Sequence, residues 1–202
     1  MAYETEQENF WAGEFGNNYI ERNSDIWIPK VSLYEEIIGH ANNVSSVLEL
    51  GPNIGLNLDA IKFLKPQVNC AGVEINPTAF AELKKKHANS VNASIFEYEP
   101  SEKFDFVFTS GVLMHINPDK LNDVYEVMYK ASNRYIMICE YYNPTPVTVP
   151  YRGESEKLFK RDFAGELMDK YPLELRAYGF RYHRDPNFPI GDATWFLMEK
   201  TK

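Results

Sequence analysis

The chain has 202 residues, of which 44% are hydrophobic and 25% are charged, and its formal net charge is -8. This length and composition fit one globular domain with a buried core and exclude a disordered or fibrous chain. The negative charge argues against nucleic acid or an anionic membrane surface as partner, because both are bound through a basic face. We therefore expect a small-molecule substrate.

The first forty residues are predicted to form a lid or helical segment ahead of a domain over residues 41–202. A helix is expected over 29–38, because Pro29 holds a favoured first-turn position and Gly39 ends the apolar pattern. No apolar run approaches the roughly 18 residues that cross a bilayer. The acidic N-terminus does not resemble a leader, so we expect a cytoplasmic protein.

Strands and helices then alternate along the chain. This rhythm is typical of βαβ units, which build a mostly parallel sheet covered by helices on both faces. Cys70 and Cys139 lie within strands, so reduced, buried thiols are expected, and no Cys/His spacing indicates a metal site. Strands are predicted at 46–50, 68–75, 104–109 and 134–139, with a weaker one at 90–96, and helices at 54–64, 77–87 and 118–131.

The last third of the chain departs from this alternation. Residues 141–152 hold three prolines, too many for a helix or a central strand. A helix is predicted over 155–171, followed by strands at 175–183 and 193–201 without a helix between them. Strands joined without a crossover helix must pair antiparallel. The expected fold is therefore an α/β sheet that is mostly parallel and ends in an antiparallel strand pair.

A glycine-bearing loop, residues 49–55, follows the first strand. Gly51 and Gly55 let a ligand approach the backbone at the carboxyl edge of the sheet. The loop lacks the third glycine of a dinucleotide-binding loop and the Gly-Lys-Ser/Thr of a Walker loop. Glu49 would repel a pyrophosphate and attract an ammonium or sulfonium cation. The loop therefore favours S-adenosylmethionine over NAD, and Glu74, one strand later, is placed to accept both ribose hydroxyls.

With these features the chain resembles the seven-stranded, Rossmann-like methyltransferases. Residues 49–55 are similar to their first motif, 73–76 to their second, and 104–116 to the fourth-strand motif that contacts the methionine side. The resemblance implies a three-layer fold and S-adenosyl-L-methionine as cofactor. It implies cofactor contacts at Glu49, Gly51, Asn53, Gly55, Glu74, Ile75, Asn76, Ser94, Ile95, Ser110, Gly111, Val112 and His115.

Two regions depart from the pattern of that family. Asn53 stands at the second glycine of the usual E-x-G-x-G-x-G, which alters the loop but keeps a polar contact. Ala93, Ser94 and Ile95 occupy the region of the third-strand acid that often reads adenine. We therefore expect the ribose contact and assign no particular adenine contact.

A narrower resemblance is to the pseudaminic acid biosynthesis-associated methylases. Residues 10–23 carry it, together with 140–146, 151–153 and 160–163 in the tail. That group is found beside genes for bacterial nine-carbon sugar acids and surface glycans. The resemblance implies a sugar or sugar nucleotide of nonulosonic acid or surface-glycan biosynthesis as the methyl acceptor.

Three residues are candidates for the chemistry. Methyl transfer is an in-line displacement, so the protein mainly positions the reactants and excludes water, and a base is needed only when the acceptor must lose a proton. His115 follows the fourth strand and titrates near neutrality, so it is a candidate base, with orientation of the loop as its alternative role. Glu140 and Tyr141, after the fifth strand, are rival candidates.

Other candidates are binding residues. Tyr19 and Arg22 are expected over the cofactor, with Arg22 as a clamp for the methionine carboxylate or an acidic substrate; the alternative is a packed ring and a solvated cation. The tail offers a cluster that suits a carboxylated sugar or a sugar nucleotide, unless its charges pair with nearby acids. This cluster comprises Tyr151, Arg152, Lys160 and Arg161, and the last hairpin adds His183, Asp185, Asp192 and Trp195.

The sequence thus predicts a methyltransferase that uses S-adenosylmethionine on a small polar acceptor. Two alternatives stay open. One is an NAD-dependent sugar oxidoreductase, against which the loop spacing and the antiparallel tail argue. The other is a non-catalytic partner protein that binds S-adenosylmethionine without transferring its methyl group.

Overall fold

The structure, a computed structural model, describes residues 3–22 and 27–201, with the backbone alone at residues 21, 22, 154 and 155. Three helices open it: α1 (Glu6–Ala12), α2 (Glu14–Arg22) and α3 (Trp27–Gly39). A capping box starts α1, in which Thr5 accepts from the Glu8 N–H and Glu8 accepts from the Thr5 N–H. None of the described helices is both long and apolar enough to cross a bilayer.

The predicted alternation of strands and helices follows. The expected strand at 90–96 shrinks to two residues, and the helix expected from residue 118 starts with a turn of 3-10 helix. The elements are β1 (Ser46–Leu50), α4 (Leu56–Leu64), β2 (Asn69–Glu74), α5 (Pro77–Lys86), β3 (Val91–Asn92), β4 (Phe104–Ser110), α6 (Leu121–Ala131) and β5 (Ser132–Glu140), with 3-10 turns at Leu113–His115 and Pro118–Lys120.

The helix predicted over 155–171 is wrong in its first half. A hairpin stands there, made of β6 (Val147–Tyr151) and β7 (Glu154–Lys160). Its turn holds Arg152 and Gly153 at φ values of 51° and 89°, which suit a two-residue hairpin loop. Pairing with the β-branched strand β6 thus overrides the helical propensity of a charged segment. Helix α7 (Phe163–Lys170) begins only after its N-cap Asp162, whose side chain accepts from the Gly165 N–H at 2.9 Å.

The main sheet has the predicted topology. Strands β8 (Leu173–Arg181) and β9 (Ala193–Lys200) pair antiparallel, and β9 pairs antiparallel with β5. The seven strands run in the order β3-β2-β1-β4-β5-β9-β8, and β6 and β7 form a separate two-stranded sheet. The mostly parallel seven-stranded sheet is confirmed. Its order brings the carboxyl ends of β2, β1 and β4 side by side, which is where open α/β sheets bind ligands.

Helices cover both faces of the sheet, which gives the three layers. One core joins α3, α4 and α5 to the sheet through residues such as Tyr34, Ile61 and Phe108. The other joins α6 and α7 through residues such as Met128, Leu167 and Ile136. Because these cores are buried, the strands that carry the loops at the carboxyl edge are held rigidly. Cys70 and Cys139 are buried free thiols.

Candidate active site

A cleft opens at the carboxyl edge of the parallel strands. Its empty space, including the open mouth, is about 1110 Å³. Helices α1, α2 and α3 close one side of it, and the loops after β1, β2, β3 and β4 form the other. Most of the predicted cofactor contacts line it: Tyr19, Gly51, Asn53, Glu74, Ile75, Asn76, Ser94, Ile95, Ser110, Gly111, Val112 and His115.

The loop after β1 has the backbone that its glycines predict. Gly51 has a φ of 76°, and a Cβ there would lie 2.6 Å from Cγ2 of Val112, so only glycine fits. Gly55 has a φ of 86° and packs against Leu83 and His87 of the α5 end. It is absent from the described lining of the cleft. The contact predicted for Gly55 is therefore replaced by a role in packing.

Asn53 and Glu74 hold this loop against the second strand. Asn53 has a φ of 53°, a left-handed conformation that asparagine tolerates in place of glycine. Its N–H donates to Oε2 of Glu74 at 2.7 Å, and the Asn76 N–H donates to Oε1 at 2.7 Å. Burial raises the pKa of Glu74 to about 7 despite these bonds. Each carboxylate oxygen keeps a lone pair for a ligand hydroxyl.

Glu49 lies beneath the cleft. It is fully buried and does not appear in the described lining, so the direct ligand contact expected of it is not seen. Nδ2 of Asn57 donates to its Oε1 at 2.5 Å, and Lys30 Nζ donates to Oδ1 of Asn57 at 2.5 Å. Burial raises the pKa of Glu49 to about 8 and lowers the pKa of Lys30, with each opposed by the other's charge.

Glu140 anchors the loop after β4. Its carboxylate accepts from the N–H groups of Val112 and Leu113 at 2.9 and 3.1 Å. Burial raises its pKa to about 7, and the described lining of the cleft does not include it. Geometry therefore gives Glu140 a positioning role and does not support the catalytic role considered for it.

His115 faces the cleft from the same loop and is 4% exposed. Its Nδ1 lies 2.6 Å from the Lys157 carbonyl oxygen on β7. Because a carbonyl only accepts, Nδ1 carries the proton and Nε2 keeps a free lone pair. Burial lowers the pKa of His115 to about 4, so the ring is neutral at pH 7. It can thus both orient the loop and accept a proton.

Aromatic rings surround His115. The Trp11 ring lies 4.7 Å from it and the Tyr151 ring 5.0 Å, measured between centroids. Tyr19 contacts Trp11 edge-on at 5.3 Å. The side chain of Arg22, proposed from sequence as a carboxylate clamp, lies outside the described part of the structure.

The basic cluster predicted in the tail is not brought together. Arg152 is in the exposed turn of the β6–β7 hairpin, whereas Lys160 and Arg161 lie at the far end of β7. Arg161 is paired with Glu166 at 2.6 Å and Lys160 lies over the Tyr141 ring at 5.1 Å. In the part of the chain that the structure describes, Tyr151 is the only one of these four residues that lies next to His115.

The remaining candidates also lie elsewhere. Tyr141 does not appear in the described lining of the cleft. His183 and Asp192 form an exposed pair at 2.8 Å, and Asp185 accepts from the N–H groups of its own loop. Trp195 is 1% exposed in the core, so it forms no pocket wall.

Several lining residues were not found from the sequence. Lys30 had one signal, since it lies one helical turn before Tyr34 on the buried face of α3, where a cation needs a partner. Helix α1 contributes Gln7, Glu8 and Trp11, and no local pattern marked its polar residues as wall residues.

Comparison with known proteins agrees with this geometry. A family model described as "Methyltransferase domain" matches residues 48–132. This span contains the glycine loop, Glu74 and His115. A search of curated proteins gave no match.

Solved structures share the fold at low sequence identity. A methyltransferase from Clostridium acetobutylicum ATCC 824 is 11% identical with a TM-score of 0.65, over 93% of this chain and 98% of its own. Magnesium protoporphyrin IX methyltransferase from Synechocystis PCC 6803 is 11% identical with a TM-score of 0.69, over 100% of both chains. An amino pentose methyltransferase from Micromonospora echinaspora is 10% identical with a TM-score of 0.65, over 93% and 96%.

The sheet order and the cleft define a Rossmann-like methyltransferase fold. Residues 48–132 are similar to the methyltransferase family model. The chain therefore has the fold of S-adenosylmethionine-dependent methyltransferases, and the predicted enzyme class and cofactor are confirmed at this level.

The cleft also fits that cofactor chemically. Beneath the cleft, Oε2 of Glu49 is buried without a partner among the described residues, so its charge favours a cationic group in the cleft above it. Lys30 supplies a cation for a carboxylate, and Glu74 supplies acceptors for ribose hydroxyls. A bound zwitterion favours the charged forms of Lys30 and Glu49. It would therefore oppose the effect of burial on the pKa values of both groups.

Proposed function

We propose that the protein transfers the methyl group of S-adenosylmethionine to a hydroxyl or amino group of a sugar or sugar nucleotide. The observation that carries this proposal is the geometry of His115, a neutral imidazole held by the Lys157 carbonyl between two aromatic rings. It stands in the same cleft as the cofactor residues, so an acceptor beside it is within reach of the methyl group.

Lys30, Glu49 and Glu74 would hold the cofactor. Lys30 binds the carboxylate of its amino acid part, and the charge of Glu49, beneath the cleft, attracts its ammonium group without touching it. Glu74 accepts from the ribose hydroxyls. When bound, S-adenosylmethionine supplies an electrophilic methyl carbon on a sulfonium.

His115 would accept the proton that the acceptor loses. Nε2 has a lone pair because Nδ1 is committed to Lys157, and the lowered pKa keeps it unprotonated at pH 7. Trp11, Tyr151 and Tyr19 would exclude water and present ring faces to the acceptor.

A sugar acceptor is supported by where two segments meet. Residues 10–22 and 151–153 belong to the stretches that resemble the pseudaminic acid biosynthesis-associated methylases, and Trp11 and Tyr151 from these stretches flank His115. The flat C–H faces of a sugar ring pack well against aromatic rings. One structural neighbour is named an amino pentose methyltransferase, whereas another is named a magnesium protoporphyrin IX methyltransferase, so the shared fold does not by itself select the acceptor.

The test has two stages. Thermal unfolding is measured with S-adenosylmethionine, S-adenosylhomocysteine or NAD, and only the first two should raise Tm. Methyl transfer from labelled cofactor is then assayed against a panel of sugar nucleotides and nonulosonic acids by mass spectrometry.

The expected result is one acceptor that gains a single methyl group. A shift of Tm with NAD alone would support the oxidoreductase alternative. Cofactor binding without transfer to any sugar of the panel would contradict the proposed acceptor class and favour a binding protein.

A further inference from the structure

The direction of the cleft locates its nucleoside end. Strand β3 is at one edge of the sheet, followed by β2, β1 and β4. Lys30, Asn57 and Glu49 form the polar group on the β1–β4 side, and Glu74 ends β2. A ligand whose ribose lies at Glu74 and whose amino acid part lies at Lys30 must extend its base towards β3. There the wall consists of residues 94–96 and helix α1.

Glu8 fastens α1 to that wall. Its Oε2 accepts from the N–H and the hydroxyl of Thr5 at 2.9 and 3.1 Å, and its Oε1 accepts from the Ser94 hydroxyl at 2.5 Å. Both oxygens are therefore engaged. Glu8 sets the register of the helix on the loop after β3, and this places its neighbour Gln7 in the lining of the cleft.

The side-chain oxygen of Gln7 receives no hydrogen bond from the described residues. The residue is 7% exposed and lines the cleft. Its Nε2 donates to the Glu156 carbonyl at 3.2 Å, whereas its Oε1 is buried with no partner in the part of the chain that the structure describes. An unpaired buried acceptor is costly, and such groups usually mark a site that a ligand completes.

We propose that Oε1 of Gln7 accepts a hydrogen bond from the exocyclic amino group of adenine and makes the cleft selective for adenine over a 6-oxo purine. The proposal rests on the proposed function, since it assumes an adenosyl ligand. Adenine carries an amino donor at this position, whereas hypoxanthine carries a carbonyl, so two acceptors would face each other. Residues 93–95 of the third-strand region contain no acid that could accept from adenine. Helix α1 thus supplies this acceptor in their place.

The test is isothermal titration with S-adenosylhomocysteine and with its inosine analogue. Wild-type protein should bind the adenine ligand at least about tenfold more tightly, as one polar mismatch predicts. Gln7→Met keeps the side-chain length and removes the acceptor, so the two affinities should become nearly equal. The folding of each variant is checked by circular dichroism and thermal unfolding.

Glu6→Gln is the matched control. Glu6 is on the same helix and pairs with Lys157 of β7 at 2.6 Å, so this variant also weakens a contact between α1 and the hairpin by removing its negative charge. It should keep the preference for adenine. Three results would each overturn the inference. Gln7→Met could prefer the adenine ligand as strongly as wild type does, or wild type could bind both ligands with equal affinity. The third is that Glu6→Gln loses the preference for adenine. If wild type binds neither ligand, the proposed function fails as well.

Discussion

His115 donates its Nδ1–H to the backbone carbonyl oxygen of Lys157 across 2.6 Å. This bond joins the loop after β4, which belongs to the cofactor half of the cleft, to a hairpin outside the main sheet. It fixes the tautomer of the imidazole without using another side chain. The proposed general base and the proposed acceptor wall are therefore positioned by one contact.

Replacement of His115 by Asn should lower turnover by at least about 100-fold, the usual contribution of a positioned base. Affinity for S-adenosylhomocysteine should change far less, because Lys30 and Glu74 remain. His183→Asn, at an exposed histidine paired with Asp192, is the matched control and should be active. Turnover close to that of wild type in His115→Asn would remove the base from the mechanism. Single-turnover assays and titration calorimetry measure the two effects.

The stability of the protein should depend on pH through His115. Its pKa is about 4 in the folded protein and 6.5 in an unstructured peptide, so the unfolded state binds the proton more strongly between these values. Stability is therefore lost as pH falls through 6.5. Between pH 7 and pH 5 the loss from this group is about 2 kcal/mol. Urea unfolding of wild type and His115→Asn at both pH values should show this difference, and parallel pH dependences would contradict it.

Lys30→Met should weaken binding of S-adenosylmethionine about 10- to 100-fold, the contribution of a charge-assisted hydrogen bond. Decarboxylated S-adenosylmethionine lacks the carboxylate, so its affinity should change little. Lys85→Met removes an exposed lysine that pairs with Glu82 and should affect neither ligand. Equal losses for both ligands would mean that Lys30 supports the cleft without binding the carboxylate. Calorimetric titration distinguishes these outcomes.

Substitutions at two positions of the glycine loop should affect the stability of the protein to different degrees. Gly51→Ala places a Cβ 2.6 Å from Val112 at a φ of 76°, so it should destabilise the protein by about 1–3 kcal/mol. Asn53→Gly keeps a backbone N–H for Glu74 and a permitted left-handed φ. Its unfolding free energy should change by less than about 1 kcal/mol. Chemical denaturation measures both, and a larger loss in Asn53→Gly would show that the asparagine side chain is needed.

Much of the fold follows from the sequence, because alternating buried strands and amphipathic helices are local patterns. Gly51 and Glu74 could be placed for the same reason, since they follow directly from strand ends. The segment from Glu154 to Lys160 could not, because its charges favour a helix until Val147–Tyr151 pairs with it. Its strand form depends on a partner and a turn.

The site residues that the sequence missed come from segments far from the motifs. Lys30 and Gln7 reach the cleft only through the packing of α3 and α1 on the sheet. Arg161 shows the converse, since a cation that suits a phosphate is already paired with Glu166. Neither the burial of a cation nor its pairing can be deduced from local composition.

Strand β7 contains an irregularity opposite Pro150, where Glu156 has a φ of 56° and the pairing register shifts. Two successive carbonyls of this bulge receive Gln7 and His115. Main-chain oxygens are present whatever the side chain, so these two contacts do not themselves require a particular residue at positions 156 and 157. Proline at 156 is the exception, because its φ near -65° is incompatible with the bulge. Sequence variability here would therefore hide a contact on which both ends of the cleft depend.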